Sequence, residues 1–390
     1  MPMTWSTLIG IRTRLGTKQA RRTSVHLVLL IALSAGVAGC MDSDPPKWWK
    51  EPNGNSITDS EGLTAATTDQ LCTAEEKTPP NDSLRLHFID VGQGDAIWVQ
   101  SPTGENVLID AGDGGYYGRN NGGKIVSAFL SAHGFAQGAV FDAVAVTHAH
   151  SDHYGGLPTI FAHYGVAKFI DPGLETDGLS YGDTLETAHA MVRPDSYFRP
   201  AINDPGGLTT LKGGSVDLFG PAVGAWLLSA ENNMRLGDDN NAKVNNTSLV
   251  FKLAYKGRSI LLMGDAHAEL ENELIQRFVT NTSEPNLDAN LIKVGHHGST
   301  TSSTGRFLDA IFRNTPAVDR YAVIQSGRTS FGGTQLPEAS TIFVLQDAVG
   351  QSHLFSTEAG DDKKAEEDAA SDDDILAVVK SDGTFYVCYE

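Results

Sequence analysis

The sequence predicts an α/β fold of two mixed β-sheets with helices on their outer faces, and three observations carry the prediction. From Leu84 onward, short apolar runs alternate with stretches of helical periodicity. Tight turns at Pro102-Thr103-Gly104 and Lys256-Gly257 join neighbouring runs into hairpins, so the order is not that of a single parallel sheet. Finally, 40 % of the 390 residues are hydrophobic, ample for a large buried core.

Taken in order, LRLHFID (84–90), AIWVQ (96–100) and NVLID (106–110) read as strands, and Lys124 to His133 as a helix. Ala143 to Thr147 is a buried strand that feeds directly into a histidine cluster. Residues 171–247 are rich in Gly, Pro and Asn with weak periodicity, which predicts long loops over one face. Leu249–Leu253 and Ser259–Met263 form a hairpin, followed by a helix over 266–279, a strand from Ala289 to Val294, a helix over 304–313 and a strand from Tyr321 to Gln325. No internal repeat is present in the sequence.

The ends of the chain read differently. Arg12, Arg14, Lys18, Arg21 and Arg22 precede an apolar run, Val25 to Val37, that is too short for the roughly 20 residues of a spanning helix and suits a secretory signal. The run ends in Val37-Ala38-Gly39-Cys40, which resembles a bacterial lipobox. The resemblance implies a signal peptide over 1–39 and lipid on Cys40, hence an exported protein anchored in the bacterial cell envelope, on the periplasmic or outer-membrane face. Residues 40–82 read as a flexible tether, in which Trp48-Trp49 suit a membrane interface, and 83–390 as the folded domain. Cys72 and Cys388 flank that domain and suit a disulfide in an oxidising compartment. An acidic stretch within 357–374 reads as a solvated loop.

Charge narrows the partners. Lys plus Arg number 29 against 48 Asp plus Glu, a net charge of −19. Stable complexes with long nucleic acids need the opposite sign and are not expected. Apart from the signal segment, no apolar run is long enough to cross a bilayer as a helix, so channel-type transport of DNA is not expected either.

The chemistry concentrates in His148-Ala149-His150-Ser151-Asp152-His153, at the end of a buried strand. Three imidazoles and a carboxylate crowded into six residues are what zinc or manganese sites use. His148 and His150 suit one ion, Asp152 and His153 a second, and Gly155-Gly156 a sharp turn into the next helix. Asp265 ends strand 259–263, and His296-His297 follow strand 289–294, either imidazole being a candidate ligand. Asp110 suits an outer acceptor that orients a ligand histidine. Lys293 and Arg328 are candidate anion holders, and Tyr116-Tyr117 a candidate lid pair. His87 and His133 read as structural residues, and His267 as a helix cap or pocket residue.

The order of these pieces resembles the metallo-β-lactamase superfamily over roughly residues 84–345, with a trailing strand near 376–388. The likeness rests on HFIDVGQGDAIWVQ, NVLIDAG, VTHAHSDHYGGL, NNTSLVFKL, ILLMGDAHAELENELI and LIKVGHHGSTTSS, of which DVGQGD and GHHGS favour the branch of ComEC-type DNA-uptake proteins. It implies a four-layer αββα sandwich and two divalent metal ions, zinc or manganese. His148 and His150 would hold the first, Asp152, His153 and one of His296 or His297 the second, with Asp265 between them. Where many superfamily members place a further histidine, this chain reads Asn245-Asn246-Thr247-Ser248, with Asn246 a candidate substrate contact.

The implied reaction is hydrolysis, with water activated between the ions attacking phosphorus or a carbonyl, Asp152, Asp265 and His153 being the central catalytic set and the Gly298 and Ser299 N–H groups aiding the developing oxyanion. Three function classes follow: a hydrolase of a phosphodiester (DNA, or a small or wall-linked one), an amide or ester hydrolase of the same fold, and a non-catalytic metal-binding lipoprotein.

Overall fold

In this computed structural model, which describes residues 67–115, 120–174, 179–200, 209–210, 217–230, 234–327, 330–331, 334–358 and 373–390, two mixed sheets stack face to face. The strands are Leu84–Phe88 (β1), Ile97–Gln100 (β2), Asn106–Ile109 (β3), Val140–Phe141 (β4), Ala143–Ala145 (β5), Gly165–Val166 (β6), Phe169–Ile170 (β7), Tyr197–Phe198 (β8), Thr209–Thr210 (β9), Gly224–Ser229 (β10), Val250–Tyr255 (β11), Arg258–Leu262 (β12), Leu291–Lys293 (β13), Tyr321–Ile324 (β14), Ser330–Phe331 (β15), Thr334–Gln335 (β16), Leu354–Ser356 (β17), Ile375–Val379 (β18) and Phe385–Tyr389 (β19). The α-helices are Gly122–Ala132 (α1), Ser151–Tyr154 (α2), Leu157–His163 (α3), Leu179–Met191 (α4), Asn240–Asn245 (α5), Ala268–Phe278 (α6), Gly305–Ile311 (α7) and Ala339–Val349 (α8).

The first sheet runs β19-β18-β1-β2-β3-β5-β7-β8 and the second β17-β14-β13-β12-β11-β10-β9; β4 pairs with β6, and β15 with β16. Each sheet has an antiparallel half and a parallel half, the parallel pairs being β3–β5–β7–β8 and β12–β13–β14–β17. Alternation along single strands assigns the layers. On β12, Ile260 and Leu262 enter the core between the sheets, where they join Leu86, Val99 and Phe251, while Leu261 faces outward onto α6, α7 and α8. Trp98, Leu108 and Val144 turn outward from the first sheet onto α1, α3 and α4. The order of layers is therefore helix, sheet, sheet, helix, as the α/β reading expects.

Three expectations change. Residues 171–247 are not all loop: α4, β10 and α5 lie within them. Helix α4 buries Tyr181, Thr184, Leu185 and Ala188, a helical spacing that small and polar residues disguise in the sequence. The tether does not extend to residue 82. Cys72 is bonded to Cys388, its N–H donates to the Tyr389 carbonyl at 2.8 Å, and Tyr386 donates to the Glu76 carbonyl at 2.9 Å, so residues from 67 onward pack on the β18–β19 hairpin. Gly155 and Gly156 have ordinary helical φ values of −62° and −77°. Close approach is what requires a glycine at 156, where a Cβ would lie 2.0 Å from the Ala111 carbonyl oxygen. The signal segment, Cys40, Trp48-Trp49, Tyr116-Tyr117, Arg328 and most of the acidic stretch lie outside the described residues.

Candidate metal centre

Every parallel strand near the middle of the two sheets delivers a polar side chain at its carboxyl end, where α/β sheets gather ligand sites. Asp110 follows β3, the His148–His153 segment follows β5, Asp265 follows β12, His296-His297 follow β13, and Gln325 follows β14. The two sheets are joined at this edge by the Leu249 N–H, which donates to the Thr147 carbonyl at 2.9 Å, and within the second sheet the Asp265 N–H donates to the Ser248 hydroxyl at 3.0 Å.

A chain of hydrogen bonds fixes the imidazoles. Asp110, in left-handed backbone at φ 59°, accepts from the Thr147 N–H at 2.8 Å and the Thr147 hydroxyl at 2.6 Å. Its Oδ2 also accepts from Nδ1 of His153 at 2.8 Å. Because the Thr147 proton goes to Asp110, its oxygen accepts from Nδ1 of His148 at 3.1 Å. Nδ1 of His297 donates to the Gln325 carbonyl at 2.9 Å. In all three rings the proton is thus held on Nδ1, and the Nε2 lone pair points into the centre.

Those lone pairs meet carboxylates. Oδ2 of Asp265 lies 3.6 Å from Nε2 of His148 and 3.3 Å from Nε2 of both His153 and His297. Oδ2 of Asp152 lies 3.3 Å from Nε2 of His297 and accepts from the Gln93 amide at 3.2 Å. Nδ1 of His150 is 3.1 Å from Nε2 of His148. Donor atoms around a tetrahedral zinc ion with bonds of about 2.1 Å sit about 3.4 Å apart, and these separations bracket that value. His148, His150 and Asp265 form one group, Asp152, His153 and His297 a second, and Oδ2 of Asp265 borders both.

Buried lone pairs facing carboxylates require positive charge among them. The titration directions express the same demand. Burial alone would depress His153 and His297, yet the neighbouring carboxylates, Asp265 foremost, hold both well above the ordinary histidine value. Burial would raise Asp152 and Asp265, yet the imidazoles of His297 and His153 hold both well below the usual carboxylate range. Oδ1 of Asp265 is buried with no hydrogen-bond partner. The donor set therefore fits divalent metal.

Other residues settle differently from the sequence reading. Of the two adjacent histidines, His297 enters the centre. His296 instead stacks on His267 with ring centroids 4.8 Å apart and bonds the Thr301 hydroxyl at 2.7 Å; burial lowers it to about 4. Lys293 holds no substrate anion: it is fully buried and ion-paired with Asp95. The Ser299 hydroxyl donates to Glu338 at 3.1 Å, and its N–H to the His296 carbonyl at 2.9 Å, so neither is free for an oxyanion. Asn246 accepts from the His267 N–H at 2.9 Å at the start of α6, whereas its neighbour Asn245 faces the cleft and lies 2.8 Å from Nε2 of His267.

Asp95, Gln93 and Asn245 are the residues this reading left out of the site, whereas His267 sits at the start of α6 and lines the cleft, as expected of a cap or pocket residue. Asp95 and Gln93 were in view as Gly-flanked polar residues after a buried strand, and Gly94, at φ 123°, brings their loop so close that a Cβ would sit 2.1 Å from the Asp152 carbonyl oxygen. The centre opens into a cleft of about 580 Å³ with His267, His296 and Asn245 on one wall and Asp238, Asp239 and Glu269 at its rim.

The chain is 29 % identical over 256 residues to ComE operon protein 3 of Bacillus subtilis (strain 168), covering 63 % of this chain and 28 % of that protein. It is 26 % identical over 244 residues to recombination protein 2 of Haemophilus influenzae, covering 63 % and 24 %. The chain thus spans about a quarter of the length of these curated relatives. The crystal structure of the metallo-beta-lactamase fold protein YhfI from Bacillus subtilis matches with a TM-score of 0.41 and 12 % identity, covering 72 % of this chain and 98 % of that one. Residues 89–317 match the family model of the metallo-beta-lactamase superfamily, and the chain is a member of that superfamily, related to the ComEC-like competence proteins.

Proposed function

We propose that this protein is a binuclear metal-dependent hydrolase of the cell envelope that cleaves a phosphodiester. The observation that carries the proposal is the convergence of six imidazole and carboxylate side chains, with one oxygen of Asp265 common to both groups. Two divalent ions, zinc or manganese, supply Lewis acidity and lower the pKa of water when bound there. His148, His150 and Asp265 would hold one, and Asp152, His153, His297 and Asp265 the other. Around them the chain's own groups orient the reactants. Asp152, steadied by Gln93, accepts a hydrogen bond from the attacking water, and Asn245, His267 and His296 form the polar cleft wall against which the substrate would lie.

A phosphodiester is supported by relatives named for recombination and competence. The acidic rim of Asp238, Asp239 and Glu269, together with the net charge of −19, favours a small substrate over a long polyanion. The same rim favours a second reading, an uncharged ester or amide. The Cys72–Cys388 disulfide supports an oxidising, exported setting, and Cys40 a lipid anchor there.

The test assays the zinc- or manganese-loaded protein on bis(p-nitrophenyl) phosphate, single-stranded DNA and a p-nitrophenyl ester. Turnover of a phosphodiester that disappears in a folded Asp152→Ala variant supports the proposal. Turnover of the ester alone moves the function to the second reading. Failure to bind metal under any loading condition overturns both.

A further inference from the structure

A second cluster of ligand-type side chains shares no residue with the centre above. His87 comes from β1, His133 is the residue that ends α1, and Glu390 follows β19. Oε2 of Glu390 lies 3.1 Å from Nδ1 of His87 and 3.6 Å from Nε2 of His133. All three donor atoms fall within 4.8 Å of one another.

Both rings are held from outside the cluster. Nδ1 of His133 is 2.8 Å from the Phe129 carbonyl, which only accepts, so that nitrogen carries the proton and Nε2 presents a lone pair to Glu390. Oε1 of Gln100 accepts from the Arg85 guanidinium at 3.4 Å and lies 3.3 Å from Nε2 of His87. Nε2 of His87 therefore donates to Gln100, and its Nδ1 is turned onto Oε2 of Glu390, the hydrogen bond between them holding the buried carboxyl below its usual range. Two imidazole nitrogens and a carboxylate oxygen thus converge on one point, the donor types that a divalent ion takes in exchange for protons. The rings are already seated, His87 stacked on Trp98 at 5.0 Å between centroids and His133 on Phe129 at 3.9 Å. Histidine ligands whose second nitrogen is tied to a carbonyl or amide oxygen are the arrangement metal sites use.

We propose that His87, His133 and Glu390 bind a zinc ion, separate from the candidate hydrolytic centre, that clamps β1, the end of α1 and the strand carrying the disulfide. Two imidazoles and one carboxylate suit zinc, with a water completing four-coordination. The separations of 3.1 and 3.6 Å flank the roughly 3.4 Å edge of a tetrahedral site. His87 is buried, while the exposed His133 leaves the ion a path to solvent.

The test counts zinc per chain after equilibrium dialysis of the full protein, comparing wild type with His133→Ala and with the near-isosteric Glu390→Gln. Both variants are expected to bind one zinc fewer than wild type, whatever number the hydrolytic centre holds. A chain carrying Asp152→Ala and Asp265→Ala should still gain thermal stability on adding zinc, and lose that gain when His133→Ala is added. Equal zinc counts in wild type and both variants, or no His133-dependent stabilisation, overturns the proposal.

Discussion

Lys293, fully buried at the end of β13, forms an ion pair with Asp95 from the loop between β1 and β2. The same carboxylate lies 3.3 Å from Nδ1 of His297. Replacing Lys293 with Met leaves that carboxylate buried without its cation, which costs about 3–5 kcal/mol. Urea denaturation should show the loss, and adding Asp95→Asn to the same chain should recover part of it. Equal destabilisation in the single and double variants would show that the two residues do not act as a pair.

Asp110 holds the proton of His153 on Nδ1. Asp110→Asn removes the charge and offers an amide where a carboxylate accepted. Metal affinity is expected to fall about 10–100-fold, the usual cost of losing an outer hydrogen-bond partner of a ligand histidine. Zinc titration of the folded variant checks this, and unchanged affinity would remove Asp110 from the centre's support.

Glu271 on α6 is buried, with Thr304 and the Ser303 N–H donating to it, and burial raises it to about 7 from 4.5. A carboxyl raised on folding stabilises most when protonated. Its contribution is complete below about pH 4.5 and is lost as pH climbs through about 7. The loss amounts to about 3 kcal/mol by linkage. Unfolding free energies measured across that window should fall with pH more steeply in wild type than in Glu271→Gln; parallel profiles would contradict the shift.

The disulfide joins residues 316 apart in sequence. Cys72→Ser is expected to lower stability by about 2–5 kcal/mol, seen as a lower melting temperature under oxidising conditions only. Identical melting of wild type and variant without reductant would show that the bond contributes nothing.

Much of this was legible in the chain, and the reasons are physical. The strands around Val99, Ile260 and Ile292 are largely apolar because both faces are covered, while β1 alternates, with Arg85 and His87 between Leu84, Leu86 and Phe88, and the sequence periods report both directly. The His148–His153 segment was readable because three imidazoles so close together have few other uses. What stayed hidden depends on partners far along the chain. Asp95 acquires its role only through Lys293 and His297, and Lys293 looks like any strand lysine until its burial is known. Ser299 and Asn246 carry the right chemistry at the right positions, but Glu338 and the His267 N–H occupy them. The choice between His296 and His297 rests on left-handed backbone at both residues, with φ of 47° and 53°, which no spacing rule forecasts.

Strand β1 lies between β2, its neighbour in sequence, and β18, which begins only at Ile375. A nascent chain therefore carries the apolar strand Leu84–Phe88 with one edge bare through most of its synthesis. Pairings this distant raise the contact order and slow folding. Until the last hairpin arrives, that edge is a template for misassociation. Truncation before β18 should leave an aggregating chain although every side chain of the candidate metal centre is present.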